Sequence, residues 1–238
     1  MKRSVVVVRF LNFESFLYMM IDLHTHTIFS DGELTPSELV RRAKVNGYTA
    51  IALTDHADYT NMGFLLEGAK KARYLEDGYD ISVLAGVEIT HVPPKHIAKL
   101  AKMAKEMGAE IVVVHGESPV EPVAPGTNLA AASCEDVDIL AHPGFITEEE
   151  AREARKNGIC LEITARYGHN VTNGHVARIA KETGARLVVD TDTHSPEDLI
   201  NDEKAMAIAM GAGLSKEEAT AAINNSKDLL SSILKKRK

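Results

Sequence analysis

The sequence predicts an α/β protein built as a barrel of seven parallel strands, each followed by a helix. Seven short apolar runs, often β-branched, recur along the chain, and segments with helical signals separate them. The runs lack the polar–apolar alternation of a strand with one solvent-facing side, which favours parallel strands buried on both faces. A doubly wound parallel sheet is the second choice for the same pattern.

The apolar runs have the lengths of buried strands. They cover residues 19–23, 50–53, 81–87, 111–114, 137–141, 159–163 and 187–189.

The intervening segments carry helix start and stop signals. In the first, Thr35 is placed as N-cap, Pro36 lies at the first helical position and Glu38 occupies the capping-box position. Glycines end several of the others. The predicted helices cover residues 36–46, 61–77, 93–107, 127–133, 148–157, 174–183, 196–211 and 216–234, and the proline-containing residues 116–126 are a predicted loop.

No break in composition divides the chain, so we expect one domain over residues 19–238 after an N-terminal extension of uncertain status at residues 1–18. The apolar residues of that extension faintly resemble a signal peptide, but Arg9 interrupts them and no cleavage site follows. No stretch approaches the roughly 18 apolar residues of a membrane span.

Charge and cysteine content restrict the class of protein. The net charge of −7 argues against a general nucleic-acid or membrane binder, although it permits a small phosphorylated substrate held by metal ions. The basic residues 235–238 are predicted to form a frayed, solvated tail. Cys134 and Cys160 provide no disulfide framework, which fits a cytoplasmic protein, and Cys160 is predicted to be a small core residue.

Polar residues concentrate where the predicted strands end, which is where the chemistry of such barrels gathers. The first strand ends in His24 and His26, whose side chains point to the same side of an extended segment, and Asp31 follows. The later strand ends supply, in order, Asp55 and His56, Glu88, His115, His142, Arg166, and finally Asp190, Asp192 and His194.

Six of the ten histidines lie within a few residues of these strand ends. Each one alone could belong to a turn or to a hydrogen-bonded core, but together with the carboxylates they predict a metal site. The candidate ligands are His24, His26, Asp31, His56, Glu88, His115, His142, Asp192 and His194. Zinc, manganese and iron each take four to six donors, so this set predicts two or three divalent ions. Such ions can bind a phosphate, activate a water and offset charge on a leaving oxygen.

The motifs resemble those of the polymerase and histidinol phosphatase (PHP) family over residues 21–194. They are His24-x-His26, Thr54-Asp55-His56, Gly86-Val87-Glu88, the mid-chain His115, Ala141-His142-Pro143 and Asp192-x-His194. The resemblance implies a distorted seven-stranded TIM-like barrel around a trinuclear site, usually of zinc, manganese or iron. It implies His24, His26, Glu88 and Asp192 on one ion, Glu88, His115 and His142 on a second, and Asp31, His56 and His194 on a third.

The segment 162–170 is similar to the phosphatase branch of that family, in which an arginine in this region binds the substrate phosphate. The resemblance therefore implies phosphate binding by Arg166, whose planar guanidinium suits phosphate oxygens, with His169 as a second candidate. A structural salt bridge is the alternative for Arg166, and a loop position is the alternative for His169. His91 could line the pocket. Asp55, Asp190 and Glu117 are candidates for orienting ligand imidazoles.

These observations predict a phosphomonoesterase of the histidinol-phosphatase type that acts on a small phosphorylated metabolite. A metal-bridging hydroxide would attack phosphorus, Arg166 and the ions held by residues such as Asp192 would bind the phosphoryl oxygens, and His194 or a metal-held water would protonate the leaving oxygen. The alternative is a phosphatase or phosphodiesterase acting on nucleotides or short oligonucleotides. A third hypothesis is a non-catalytic RNA-binding scaffold, because a subunit of ribonuclease P has a related barrel without the metal ligands.

Overall fold

The computed structural model describes residues 20–237. Its eight strands are all parallel to their neighbours. They are β1 (Ile21–Asp22), β2 (Ala50–Leu53), β3 (His56–Ala57), β4 (Ser82–Ile89), β5 (Ile111–His115), β6 (Ile139–Ala141), β7 (Cys160–Thr164) and β8 (Leu187–Asp190).

The strands follow one another around the sheet in chain order, β1-β2-β4-β5-β6-β7-β8, and β3 pairs with β4 beside the end of β2. The two outer strands meet at their carboxyl ends, where Thr25 and Thr193 form a parallel bridge. There the Asp192 N–H donates to the His24 carbonyl over 2.9 Å. The predicted seven-stranded, TIM-like barrel is therefore confirmed as a nearly closed barrel. The doubly wound alternative is wrong, because the strand order never reverses.

Helices alternate with the strands, as the capping signals predict. They are α1 (Pro36–Val45), α2 (Met62–Lys71), α3 (Leu75–Tyr79), α4 (Pro94–Glu106), α5 (Thr127–Ala132), α6 (Glu148–Asn157), α7 (Asn173–Thr183), α8 (Asp202–Gly211) and α9 (Lys216–Lys236). The Thr35 side chain accepts from the Glu38 N–H at the start of α1. Within residues 20–237, none of these helices combines the length and apolar character that a membrane span requires.

Two apolar clusters hold the barrel together. The larger one lies between the strands and the surrounding helices. The smaller one includes Leu23, Leu84, Val113 and the predicted core residue Cys160, and α9 packs Ile233 against it. Helix α9 therefore packs against this second cluster. The polar strand ends described below lie at the carboxyl-terminal face of the barrel.

Two helix predictions differ from the structure. The predicted helix at 61–77 is divided into α2 and α3 by a short 3-10 turn at Ala72–Tyr74. The predicted helix at 196–211 starts only at Asp202, because Leu199 is extended and the Asn201 side chain caps the Lys204 N–H. The prediction for residues 1–18 lies outside the described residues.

The prediction of a frayed tail is wrong for residues 235–237. Helix α9 continues to Lys236, and the Arg237 side chain is only 22% exposed. Its guanidinium donates to Glu110 over 2.6 Å, to Glu76 over 2.7 Å and to the Val83 carbonyl over 2.9 Å. Arg237 therefore ties the end of the chain to the start of β4 and to the loop before β5.

Replacing Arg237 with alanine is expected to lower the free energy of unfolding by about 1–3 kcal/mol, because partly buried charged hydrogen bonds are lost. Urea unfolding followed by circular dichroism measures the change. Lys235→Ala, at an exposed position of the same helix, is the matched control. An equal effect of the two variants would contradict the structural role of Arg237.

The loss of stability caused by Arg237→Ala is expected to depend on pH. Burial alone would raise the pKa of Glu110, but hydrogen bonds from Arg237, Ala85 and Arg73 hold it below its usual value. A carboxyl group with a lowered folded-state pKa contributes stability above its unfolded pKa of about 4.3 and loses it as the pH falls through the folded value. The stability difference between wild type and Arg237→Ala should therefore shrink below about pH 4.

Candidate metal centre

The first two predicted ligands, His24 and His26, lie shortly after the end of β1, and both are fully buried. The Nε2 atoms of His24 and His26 lie 3.1 Å apart, as expected for side chains on the same side of an extended segment. His24 Nε2 lies 3.3 Å from Glu88 Oε1, and His26 Nε2 lies 3.2 Å from Asp192 Oδ1. Side chains from three different strand ends therefore meet at one point.

Glu88, near the end of β4, occupies the middle of the cluster. Besides His24, its carboxylate lies 2.6 Å from His56 Nδ1 and 3.7 Å from His142 Nε2. Burial would raise the pKa of Glu88, but the charges of His24, His56 and His115 hold it well below its usual value. Its two oxygens therefore contact imidazoles on both sides of the site.

The remaining ligands extend the cluster in two directions. Towards solvent, Asp31 Oδ1 lies 3.3 Å from His56 Nε2 and 3.2 Å from His194 Nε2. On the other side, the rings of His115 and His142 lie 4.4 Å apart.

Two of the candidate ligands have strained backbones. His142 and Asp192 have φ values of 27° and 52°, which non-glycine residues rarely adopt. Such strain persists where the surrounding structure imposes it, often at functional sites.

The donor chemistry fits divalent cations. The His24 Nδ1–H donates to Glu162 over 2.8 Å, so Nε2 is the nitrogen that faces His26 and Glu88. The Glu88 Oε1 atom is buried and lacks a hydrogen-bond partner among residues 20–237. Imidazole nitrogens and carboxylate oxygens that face each other in this way are the donors that zinc, manganese and iron accept.

Donor atoms within 4.8 Å of one another form five overlapping groups in the described part of the chain. They are His26, Asp31, His56 and His194; His24, His26 and Glu88; His24, His142 and Asp192; His115, His142 and His169; and His91, His115 and Glu121. The structure thus brings together all nine predicted ligands. Metal binding by these residues stays a prediction.

Three residues of the site were not predicted from the sequence to be metal ligands or to orient metal ligands. Glu162 is fully buried, and its carboxylate contacts His24 Nδ1 and accepts from the His142 N–H over 2.9 Å. Its signal was a charged residue inside an apolar strand, because such a charge must be paired. Glu121 and His169 also enter the donor groups, and nothing in the spacing of Glu121 marks it.

The residues proposed to orient ligand imidazoles have other roles. Asp55 accepts from the backbone and hydroxyl of Thr27, Asp190 from the Leu23 N–H, and Glu117 from backbone N–H groups near α5. That prediction is wrong for Asp55, Asp190 and Glu117, because their carboxylates bond the loops and strands that carry the ligands. Glu162 instead makes the carboxylate–imidazole contact.

The two predicted substrate-binding residues lie beside the cluster. Arg166 donates from Nη1 to Asp198 Oδ2 over 2.9 Å, and the same oxygen accepts from the His194 N–H. His169 Nδ1 lies 2.8 Å from Ser118 Oγ, and the His169 ring lies 4.2 Å from that of His142. Arg166 thus has a salt-bridge partner next to the site, and His169 is nearer to the candidate ligands than a purely loop position would require.

A cavity of about 380 Å³ opens beside the cluster. It is lined by Asp31, His56, Ala57, Asp58, Asn61, Thr90, His91 and Glu121. Within the described residues, no lysine or arginine lines it, so its walls are polar and acidic.

Known protein families and relatives are similar to this chain over most of its length. The model of the PHP domain matches residues 22–194. An uncharacterized protein of Methanocaldococcus jannaschii is 57% identical over 84% of this chain and 93% of its own length. A probable phosphatase of Thermoanaerobacter is 26% identical over 84% of this chain and 89% of its own length.

Two different proteins are among the solved structures that share the fold. A chain of an archaeal ribonuclease P bound to mature tRNA superimposes with a TM-score of 0.68 at 15% identity, covering 89% of this chain and 90% of its own. The histidinol phosphate phosphatase of Lactococcus lactis, solved with zinc, L-histidinol and phosphate, gives a TM-score of 0.58 at 17% identity. It covers 82% of this chain and 94% of its own.

Loading the protein with Zn²⁺ or Mn²⁺ after chelation is expected to raise its melting temperature. Cations that bind only the folded state stabilise it by about 2.7 kcal/mol when their free concentration is 100 times Kd. Differential scanning calorimetry measures the shift, and Glu88→Gln should reduce it. Identical melting curves with and without added metal would contradict the assignment of this cluster as a metal centre.

Proposed function

This chain belongs to the PHP domain family, and on that premise we propose that it is a metal-dependent phosphomonoesterase of the histidinol-phosphatase type, acting on a small phosphorylated metabolite. One observation carries the proposal: histidines and carboxylates from distant parts of the chain converge beside a polar cavity. The probable phosphatase from Thermoanaerobacter and the Lactococcus lactis enzyme, with its zinc, L-histidinol and phosphate, support the same reaction class.

The nine predicted ligands would hold two or three zinc, manganese or iron ions. Bound divalent ions supply a nucleophilic water at neutral pH and positive charge for the phosphoryl oxygens. Glu88 lies between both sides of the donor set and would be shared by two ions. Glu162 holds His24 in the tautomer that presents Nε2 to the site.

Two side chains would act on the substrate. Arg166 can turn its guanidinium fork towards phosphoryl oxygens while Asp198 holds its position. The His194 Nδ1–H donates to the Asp192 carbonyl over 2.9 Å, so Nε2 faces Asp31 and the solvent side of the cluster. That nitrogen can hold a cation or pass a proton to the leaving oxygen.

The cavity favours a leaving group without further negative charge. Asp31, Asp58 and Glu121 line it together with the imidazoles of His56 and His91, and no lysine or arginine among the described residues does so. A nucleotide or oligonucleotide would bring more phosphates against these carboxylates, and like charges at close range disfavour binding. This supports a small phosphomonoester over the nucleotide alternative.

An RNA-binding role is the second candidate, because the fold likeness to the ribonuclease P chain has the higher TM-score. The net charge of −7 weighs against it, since RNA affinity depends on neutralising phosphates with lysine and arginine. The complete donor set also favours catalysis.

We also propose that residues 19–238 form one domain and that the protein acts in the cytoplasm. Both cysteines are buried and unpaired, which is usual for proteins of a reducing compartment.

The protein freed of metal and reloaded with Mn²⁺ or Zn²⁺ should hydrolyse p-nitrophenyl phosphate, and small phosphomonoesters should have a higher kcat/KM than nucleotides. Phosphate release measures both. Glu88→Gln should abolish turnover, because the shared carboxylate is lost. Metal-loaded protein that binds ions without hydrolysing any phosphoester would contradict the proposed activity, and metal-free RNA binding at moderate salt would favour the second candidate.

Replacing Arg166 with alanine should lower kcat/KM about 10- to 100-fold, which corresponds to the loss of one charged hydrogen bond of about 1.5–3 kcal/mol. Arg178→Ala, which removes an exposed arginine paired with Glu182 on α7, is the matched control. Unchanged kcat/KM together with a lower melting temperature would show that Arg166 forms only a structural salt bridge with Asp198.

A further inference from the structure

The loop of residues 116–126, between β5 and α5, is fastened at its base. The Glu117 carboxylate accepts from the N–H groups of Gly126 and Asn128, both over 2.9 Å. Gly144, at the end of β6, has a φ of 59°, and a Cβ there would lie 1.9 Å from the Glu117 carbonyl oxygen. The loop is therefore seated against the strand end that carries His142.

Glu121, further along this loop, reaches three imidazoles. Its Oε2 lies 3.0 Å from His115 Nε2 and 3.2 Å from His91 Nε2, and its Oε1 lies 3.4 Å from His169 Nε2. Pro122 follows it and restricts its backbone to extended conformations, which limits the positions available to the carboxylate. A partly exposed loop carboxylate is thus directed inward rather than towards solvent.

The tautomer of His115 makes this contact informative. Its Nδ1 lies 3.0 Å from the Gly116 carbonyl, which can only accept, so Nδ1 carries the proton. In the neutral ring the lone pair on Nε2 then points at Glu121 Oε2. The 3.0 Å contact between His115 Nε2 and Glu121 Oε2 needs a positive charge between the two atoms, which is either a proton on the imidazole or a bound cation.

His169 also lies beside His115 and His142. Its ring lies 4.2 Å from that of His142 and 5.8 Å from that of His115, and the three share a donor group. The hydroxyl oxygen of Ser118, in the same loop, lies 2.8 Å from His169 Nδ1. The loop therefore both supplies Glu121 and fixes His169.

We propose that Glu121 and His169 are additional ligands of the cation held by His115 and His142. The 116–126 loop then closes the metal centre on the side of the cavity, and its order depends on the metal. This inference rests on the metal centre of the proposed function, but it concerns ligands that the family motifs do not include.

The test is competition of the apo protein with a chromogenic chelator for Zn²⁺, which gives the number of ions and their Kd values. Glu121→Gln and His169→Gln should each weaken one ion by about 10- to 100-fold and leave the others unchanged. Glu149→Gln, an exposed glutamate in the first turn of α6, is the matched control. Amide hydrogen exchange at Val120, Glu121 and Val123 should slow on Zn²⁺ binding in the wild type and not in Glu121→Gln.

The outcomes separate this inference from the proposed function. Wild-type protein that binds no Zn²⁺ would overturn both. Wild-type protein that binds Zn²⁺ with the same Kd values as Glu121→Gln and His169→Gln would overturn only the assignment of the two added ligands. Equal melting temperatures of the apo variants would show that a change in affinity is not caused by unfolding.

Discussion

The burial of the Glu88 carboxylate is the constraint on which the structure of the site depends. An isolated charge in a protein interior costs several kcal/mol unless it is paired. Glu88 has no exposed surface, and it lies within 3.7 Å of nitrogens from His24, His56 and His142. The strand ends that carry these histidines must therefore lie close to one another at this face of the barrel.

The two ends of the barrel differ in composition: one is packed against α9, and the other carries the candidate ligands. Ile233 and Arg237 of the C-terminal segment tie α9 to the apolar cluster and to Glu76 and Glu110. The carboxyl-terminal face instead holds His26 Nδ1, Glu88 Oε1 and His142 Nδ1, which are buried without a hydrogen-bond partner among residues 20–237, and the strained residues His142 and Asp192. Such an arrangement is stable only because the remainder of the barrel is well packed.

The fold alone does not decide the function. It is shared with a chain of an archaeal ribonuclease P and with a histidinol phosphate phosphatase, at TM-scores of 0.68 and 0.58. The reaction must therefore be argued from the site. Here the site consists of histidines and carboxylates such as His24, Glu88 and Asp192, beside a cavity with polar walls.

The sequence alone predicted seven of the eight strands, the barrel and the candidate ligands, because buried parallel strands leave continuous apolar runs and the polar residues that follow them meet at one face. The two-residue strand β3 has no such run and was not predicted. The PHP motifs are likewise local patterns, and the model of the PHP domain matches residues 22–194.

Only the tertiary structure decided which residues Glu121, Glu162 and Arg237 contact. Each depends on contacts with residues far along the chain, as in the approach of Arg237 to Glu110 and of Glu162 to His24. Local spacing carries no information about such contacts, since chain folding alone brings the partners together.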